Sequence, residues 1–118
     1  MASPKSTEIL EQMIQLSADV ITFCQKQNLP RSVVDQVTRS VTSIGANFSE
    51  AQDASSRKDF INKIYIAKKE AAETKYWLAV ITKLTGKSVT INVLSEQVQR
   101  YVMMLQKIIN TSKEGKRK

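Results

Sequence analysis

The sequence predicts an all-α protein folded as an antiparallel up-down-up-down four-helix bundle. Four stretches carry apolar side chains at steps of three and four residues, the spacing that places them on one face of a helix. The 118 residues include only three glycines and two prolines and contain no alternating strand-like run, so turn-rich β architectures are disfavoured. Short connections between long helices make neighbouring helices antiparallel. We therefore expect one bundle domain over residues 6–112, between a flexible N-terminus (residues 1–5) and a basic flexible tail (residues 113–118).

The first two helices are predicted over residues 6–27 and 30–54. The first ends before the sequence "QNLPRS", where Asn28 favours termination and Pro30 is tolerated only in a first helical turn. Its apolar positions are Ile9, Leu10, Met13, Ile14, Leu16, Val20, Ile21, Phe23 and Cys24. The second helix carries a heptad-like seam. That seam consists of Val34, Val37, Val41, Ile44, Phe48 and Ala51.

The third and fourth helices are predicted over residues 56–84 and 90–111. Ser55 or Ser56 is the expected N-cap of the third helix, and Gly86 is placed to end it. The inner line of the third helix is Phe60, Ile64, Ala67, Ala71, Thr74, Leu78 and Ile81. Ser88 or Thr90 is the expected cap of the fourth helix. Its apolar positions are Ile91, Leu94, Val98, Tyr101, Val102, Leu105, Ile108 and Ile109.

The residues that most enzymes need are missing. The chain has no histidine, the commonest general base and transition-metal ligand, and its single cysteine, Cys24, lies on an apolar face. Glu70 and Glu73 lack the Glu-x-x-His partners of bundle metal sites, and "GKS" at residues 86–88 lacks the upstream glycine of a phosphate-binding loop. We expect no enzymatic activity, no catalytic residue, no cofactor and no metal ion.

The positive charge is concentrated in the second half of the chain. Residues 1–53 carry 4 basic and 6 acidic groups, a net charge of −2, whereas residues 54–118 carry 14 basic and 5 acidic groups, a net charge of +9. Such an excess favours a polyanionic partner, although solubility alone is an equally good explanation. A single cysteine and the lack of a long apolar run predict a soluble cytoplasmic protein with no membrane contact.

Gly45, in the sequence "SIGANFSEA", lies in the middle of the second predicted helix. An interior glycine costs about 1 kcal/mol relative to alanine, so we expect a helix of this or a neighbouring subunit to approach closely there. A strip of Arg39, Ser43, Ala46 and Glu50, with Asn47 beside it, runs along the same helix. This strip is either a lateral contact surface or an ordinary solvent-exposed face.

A basic and aromatic face, which also includes Asn62, is predicted on the third helix, opposite its apolar line. Lysines meet phosphates and tyrosines stack on bases, so this face suits a polynucleotide. A solvated lysine-rich face or a subunit interface is at least as common. The candidate nucleic-acid-binding residues are Lys58, Tyr65, Lys69, Tyr76 and Lys83, together with Lys116, Arg117 and Lys118 of the tail.

The third helix also has more apolar surface than one core seam requires. Trp77, with Ile66 and Leu84 at nearly the same angle, widens its apolar sector and favours oligomerisation, whereas a broad core in a monomeric bundle is the alternative. On the other side, Arg57, Lys68 and Lys75 are placed to line a groove between helices. The candidate oligomer-interface residues are Arg39, Ser43, Gly45, Asn47, Glu50, Ile66 and Trp77.

Three segments resemble one known family. They are "LPRS", Arg39 with "SIGANFSEA", and "SRKDFINKIYIAKKEAAETKYWL", and together they resemble bacterial four-helix bundle proteins encoded in intervening sequences of large-subunit ribosomal RNA genes. The similarity covers roughly residues 29–84. Departures are Phe48 and Ser49 for the usual Ile-Ala, Ala51 where glycine is common, and "KKE" at residues 68–70 for a smaller Gly-Ser-rich triplet.

The resemblance implies a ring, typically a homopentamer, with no established enzymatic activity. A related group assists the reverse transcriptases of diversity-generating retroelements and uses a basic ring surface to engage nucleic acid and the polymerase. The expected partners are therefore further copies of the chain, and either RNA or single-stranded DNA, or a reverse transcriptase or other nucleic-acid enzyme. An oligomeric scaffold that recruits a protein without touching nucleic acid is the alternative.

Overall fold

The computed structural model describes residues 4–114, which form four α-helices and no strand. The helices are α1 (Pro4–Gln25), α2 (Arg31–Gln52), α3 (Arg57–Thr85) and α4 (Val89–Glu114). The predicted all-α class is confirmed. The bounds differ from the predicted ones by at most three residues, the largest difference being the end of α4 at Glu114 rather than at residue 111.

Both ends of the bundle extend into segments predicted to be flexible. Pro4 and Lys5 belong to α1, since proline is tolerated in a first turn, and Lys113 and Glu114 belong to α4, since no helix breaker occurs between Asn110 and Glu114. The predicted binding residues Lys116, Arg117 and Lys118 lie outside the described residues.

Local capping explains where the helices begin and end. The Ser56 hydroxyl accepts a hydrogen bond from the Asp59 backbone N–H at 3.0 Å, so Ser56 rather than Ser55 is the N-cap of α3. The Ser88 hydroxyl accepts from the Ile91 N–H at 3.3 Å, so Ser88 caps α4. Gly86 ends α3 as predicted, with a φ of 88° and its N–H bonded to the Thr82 carbonyl at 2.8 Å.

The four helices pack in a closed cycle. Each helix contacts two others, through the pairs α1–α2, α2–α3, α3–α4 and α4–α1; the α2–α3 contact is the most extensive and the α1–α4 contact the least. The described part of the chain is elongated, with extents of 51 × 23 × 19 Å. The side chains that point into the cycle form one continuous core.

The predicted apolar lines form that core, apart from Ile14 and Ile21 of α1. Along α3 the predicted line from Ile64 to Ile81 is buried, and so is the α2 seam from Val37 to Ala51. Ile14, predicted on the inner face of α1, is instead 54% exposed. Its neighbour Met13 takes the inward position, and one residue along a helix turns a side chain by about 100°.

Two buried hydroxyl groups join α2 to α3 inside the core. Thr74 donates to the Ser40 hydroxyl at 2.9 Å, and Ser40 donates in turn to the Val37 carbonyl at 3.2 Å. Neither Ser40 nor Thr74 is accessible to solvent. Because each polar atom has a partner, burying this pair avoids the penalty of an unsatisfied group.

Candidate functional site

A continuous row of exposed side chains runs along the outer face of α3. Its positions follow one another at alternating steps of four and three residues, so they share one helical face. We call this row the outward seam. It consists of Lys58, Asn62, Tyr65, Lys69, Ala72, Tyr76, Ala79 and Lys83, all of which are exposed.

The structure thus brings the five α3 residues predicted to bind nucleic acid onto one face. It also adds Ala72 and Ala79, which the sequence analysis missed. Their signal was present in the sequence, because they continue the same alternating spacing between the two tyrosines and the last lysine. Their small side chains leave the flanks of the tyrosine rings open.

Tyr65 lies close to two lysine ammonium groups. Its ring is 50% exposed, and the Nζ atoms of Lys68 and Lys69 lie 5.1 and 5.9 Å from the ring centroid. Cations within about 6 Å of an aromatic face are attracted by the ring quadrupole. This end of the outward seam therefore combines a half-exposed aromatic ring with two positive charges.

Tyr76 is the second exposed aromatic group of the outward seam. It is 61% exposed and meets Trp77 edge to face, with ring centroids 5.2 Å apart and an interplanar angle of 78°. Trp77 is half-buried, and its indole Nε1 donates to Glu73 Oε2 at 3.3 Å. Trp77 therefore contacts one side of the Tyr76 ring, and much of that ring remains accessible.

Arg39 of α2 joins Glu70, Glu73 and Trp77 of α3 in what we call the Arg39 cluster. The guanidinium donates from Nη2 to Glu73 Oε2 in a short contact and from Nη1 to Glu70 Oε1 at 3.4 Å. The hydrogen bond from Arg39 lowers the pKa of Glu73 below its ordinary value. Two carboxylates of α3 are thereby directed towards α2, away from the lysines of the outward seam.

A second ion pair links α2 and α3 further along the bundle. Lys63 Nζ lies 2.7 Å from Glu50 Oε1, and the hydrogen bond to Glu50 raises the pKa of Lys63. Arg39 and Glu50, the charged ends of the predicted strip on α2, therefore both pair with α3 of the same chain. Between them Ser43 and Asn47 donate to backbone carbonyls one turn earlier, at 2.7 and 2.8 Å.

The predicted interface residues fall on one side of the bundle, apart from Gly45. Arg39, Ser43, Asn47 and Glu50 lie on α2 next to α3, and Ile66 and Trp77 lie on the flank of α3. Ile66 is 39% exposed, whereas Trp77 is half-buried against the core.

Gly45 is buried beneath α1 of the same chain, so a helix of the same chain makes the close approach expected there. A Cβ atom built on Gly45 would lie 3.5 Å from Met13 Cβ and 3.8 Å from Leu10 Cδ1, both ordinary van der Waals separations. Within one protomer, therefore, the approach of α1 does not require a glycine.

The predicted groove residues Arg57 and Lys68 both contact α4. Arg57 donates to the Ser112 carbonyl at 3.3 Å, and Lys68 donates to Gln106 Oε1 at 2.7 Å. Lys68, Ala72, Val102 and Gln106 line a shallow groove between α3 and α4. Lys75, the third predicted member of this row, is exposed.

No reactive constellation is found among residues 4–114. In that range no three His, Cys, Asp or Glu side chains are grouped so that they could hold a metal ion. Cys24 is buried, and burial raises the pKa of its thiol, which disfavours the reactive thiolate. Among these residues, none of the helices combines the length and the hydropathy that spanning a lipid bilayer requires.

Four helices packed in a cycle, with an outer row of lysines and tyrosines, define a small helical-bundle protein. The chain belongs to the 23S rRNA-intervening sequence protein family, whose model matches residues 5–107. This confirms the family resemblance predicted from residues 29–84 and extends it to the flanking helices.

The fold is similar to that of a solved relative. A crystal structure of a protein of unknown function from the S23 ribosomal protein family of Bacteroides thetaiotaomicron is 31% identical to this chain, with a TM-score of 0.77. The match covers 90% of this chain and 98% of that one. A comparison with curated protein sequences finds no significant match.

Proposed function

We propose that the protein is a non-enzymatic cytoplasmic helical bundle that forms a ring-shaped homo-oligomer and binds RNA or a nucleoprotein partner through basic surfaces. The observation that carries this proposal is the row of exposed lysines on α3. In the described residues, the ion pairs involve Arg39 and Lys63, and none involves Lys58, Lys69 or Lys83. Such lysines are available to neutralise phosphates and to release their counterions.

An antiparallel up-down-up-down order of the helices is part of this proposal. It is supported by contacts in which the residue number rises on one helix as it falls on the next. Between α3 and α2, Glu73 pairs with Arg39 and Lys63 pairs with Glu50. Between α3 and α4, Arg57 contacts Ser112 and Lys68 contacts Gln106. Connections of three to five residues agree with this order.

Exposed apolar side chains support self-association. Ile14, Leu84, Val89 and Met103 are 54%, 56%, 80% and 62% exposed, respectively. Apolar surface left outside the core of a protomer is stabilised when another surface covers it. A head-to-tail contact between identical copies closes into a ring when its rotation allows, and the family resemblance favours five copies.

A ring would repeat the basic surface of each protomer. Copies of the outward seam, and of the tail residues Lys116, Arg117 and Lys118, would then act together on one polyanion. Multivalent binding raises the overall affinity well above that of a single site.

Light scattering and filter binding test the proposal together. We expect a solution mass near five times the 13.3 kDa of one chain, and retention of structured RNA or single-stranded DNA that falls steeply between about 50 and 200 mM salt. A mass near 13.3 kDa at high protein concentration would refute the ring. Absent retention at low salt, or retention indifferent to salt, would refute the electrostatic binding.

An oligomeric scaffold for a protein partner, such as a reverse transcriptase, is the second candidate. It is favoured by the exposed Tyr76 and the half-buried Trp77 beside it, since aromatic residues are enriched at protein interfaces. Substituting Lys58, Lys69 and Lys83 by glutamate separates the two candidates. If the protein is a scaffold, the substitutions should leave recruitment of the protein partner unchanged and have no effect that depends on nucleic acid. If it binds nucleic acid, they should abolish the retention of RNA or single-stranded DNA in filter binding.

A further inference from the structure

We propose that the outward seam of α3 is a binding track for single-stranded polynucleotides, with bases stacked on Tyr65 and Tyr76 and phosphates held by Lys58, Lys69 and Lys83. This inference rests on the proposed nucleic-acid binding and assigns it a site and a class of ligand. It adds that the protein discriminates single strands from duplexes.

The spacing along α3 fits an extended ligand. At about 1.5 Å per residue, Lys58 and Lys83 are about 37 Å apart along the helix axis, and the two tyrosines are about 16 Å apart. Lys69 lies between the tyrosines. Charged and aromatic contacts therefore alternate along the row, as in proteins that bind single strands without reading their sequence.

The exposure of the tyrosine rings selects single strands. Duplex bases are already stacked on their neighbours, whereas the unpaired bases of a single strand can lie against an aromatic side chain. Tyr65 and Tyr76 are each at least half exposed, and Ala72 and Ala79 add no bulk beside them. The three lysines alone would attract a duplex as readily, so the tyrosines supply the discrimination.

Charge disfavours a second copy of the chain on this face. Two outward seams packed side by side would bring lysine against lysine, because Lys58 would face Lys58 in a parallel pair and Lys83 in an antiparallel pair. No acidic residue belongs to the outward seam, and Glu70 and Glu73 are bound to Arg39. A polyanion is the occupant that this charge pattern favours.

The test measures fluorescence anisotropy of a labelled oligouridylate of about 20 nucleotides, long enough to span the row, against a duplex of equal length. The full-length protein is compared with the double variant Tyr65→Leu/Tyr76→Leu. The matched control is Tyr65→Phe/Tyr76→Phe, which retains both aromatic faces. We expect the leucine variant to bind the single strand at least about tenfold more weakly and the phenylalanine variant to bind it like the original protein.

A second set of variants tests the lysines. Lys58, Lys69 and Lys83 are replaced together by glutamine, and a control of equal net charge carries glutamine at Lys5, Lys26 and Arg31, which are exposed near the two ends of α1 and at the start of α2. Each phosphate contact to a single strand contributes about 0.7 to the slope of log affinity against log salt. The seam variant should therefore lower the magnitude of that slope by about 2, and the control should change it less.

Several results would overturn the inference. One such result is an equal affinity for single strand and duplex that depends on salt but does not change with the leucine substitutions. It would leave the proposed function intact and refute binding at the outward seam. A changed mass of the leucine variant in light scattering would make the outward seam a subunit contact. Equally tight binding of polyglutamate, weakened by the same leucine substitutions, would identify an acidic protein segment as the occupant. Absence of any nucleic-acid binding at low salt would refute the proposed function itself.

Discussion

The Thr74 hydroxyl donates a hydrogen bond to the Ser40 hydroxyl, 2.9 Å away, where neither residue is accessible to solvent. This pair joins the middle of α2 to the middle of α3, in the most extensive helix contact of the bundle. The Arg39 cluster lies beside it at the surface, so buried and exposed polar contacts together join the middle of these two helices.

We expect Thr74→Val to destabilise the protein by about 1 kcal/mol, because it removes the contacts of the Thr74 hydroxyl with Ser40 and with the Glu70 carbonyl, 2.8 Å away, while conserving shape. The double variant Ser40→Ala/Thr74→Val should cost less than the sum of the two single variants, since neither hydroxyl is then left without its partner. Chemical denaturation of the four proteins measures this coupling. Strict additivity would show that the two hydroxyls contribute independently.

Gly45→Ala is expected to raise the free energy of unfolding by up to about 1 kcal/mol, the difference in helix propensity between the two residues. The new Cβ would meet Met13 and Leu10 at ordinary distances, so no clash offsets this gain. Thermal unfolding checks the stability, and light scattering on the same sample checks the mass. Loss of the oligomer in a well-folded Gly45→Ala protein would indicate that a neighbouring subunit needs the glycine, as the sequence analysis allowed.

Gly86→Ala should lower the free energy of unfolding, although no atom lies near enough to clash with the new side chain. Gly86 has φ 88° and ψ 163°, a backbone conformation that is essentially restricted to glycine. We expect a loss of at least about 1 kcal/mol, measured by denaturant unfolding. An unchanged midpoint would mean that the connection between α3 and α4 adapts at no cost.

The Arg39 cluster should make stability depend on pH in the acidic range. Because Arg39 lowers the pKa of Glu73 in the folded protein, the stabilisation is present above the ordinary value of 4.5 and is lost as the pH falls through the lowered value. The melting temperature of the original protein should exceed that of Glu73→Gln at neutral pH, and the gap should close on acidification. When Glu73→Gln is introduced into an Arg39→Gln variant, the difference in melting temperature that it causes should no longer shrink on acidification.

The helices and the core follow from the spacing of apolar residues, which depends only on the local geometry of a helix. The partners of polar residues do not follow from this spacing, because they depend on which helix lies alongside. The sequence placed Arg39 and Glu73 on their helices but gave no sign that they meet, and Ser40 was missed because a serine among apolar residues does not identify its partner. Ile14 was wrongly placed for a related reason: α1 contacts two neighbours, and the sequence does not say which edge of its broad apolar stripe stays outside.

The outward seam was only partly predictable. Its lysines and tyrosines stand out by residue type, whereas Ala72 and Ala79 belong to it only through their spacing and exposure. The roles assigned to these residues remain predictions, and the variants described above test them one face at a time.

Trp77 is the only tryptophan in the chain; its ring packs edge to face with that of Tyr76, and its indole nitrogen donates to Glu73. The intrinsic emission of the unmodified protein therefore originates beside the last aromatic ring of the outward seam. A ligand that settles on Tyr76 or protonation of Glu73 changes the surroundings of the indole, so a fluorimeter can follow either event with no dye attached.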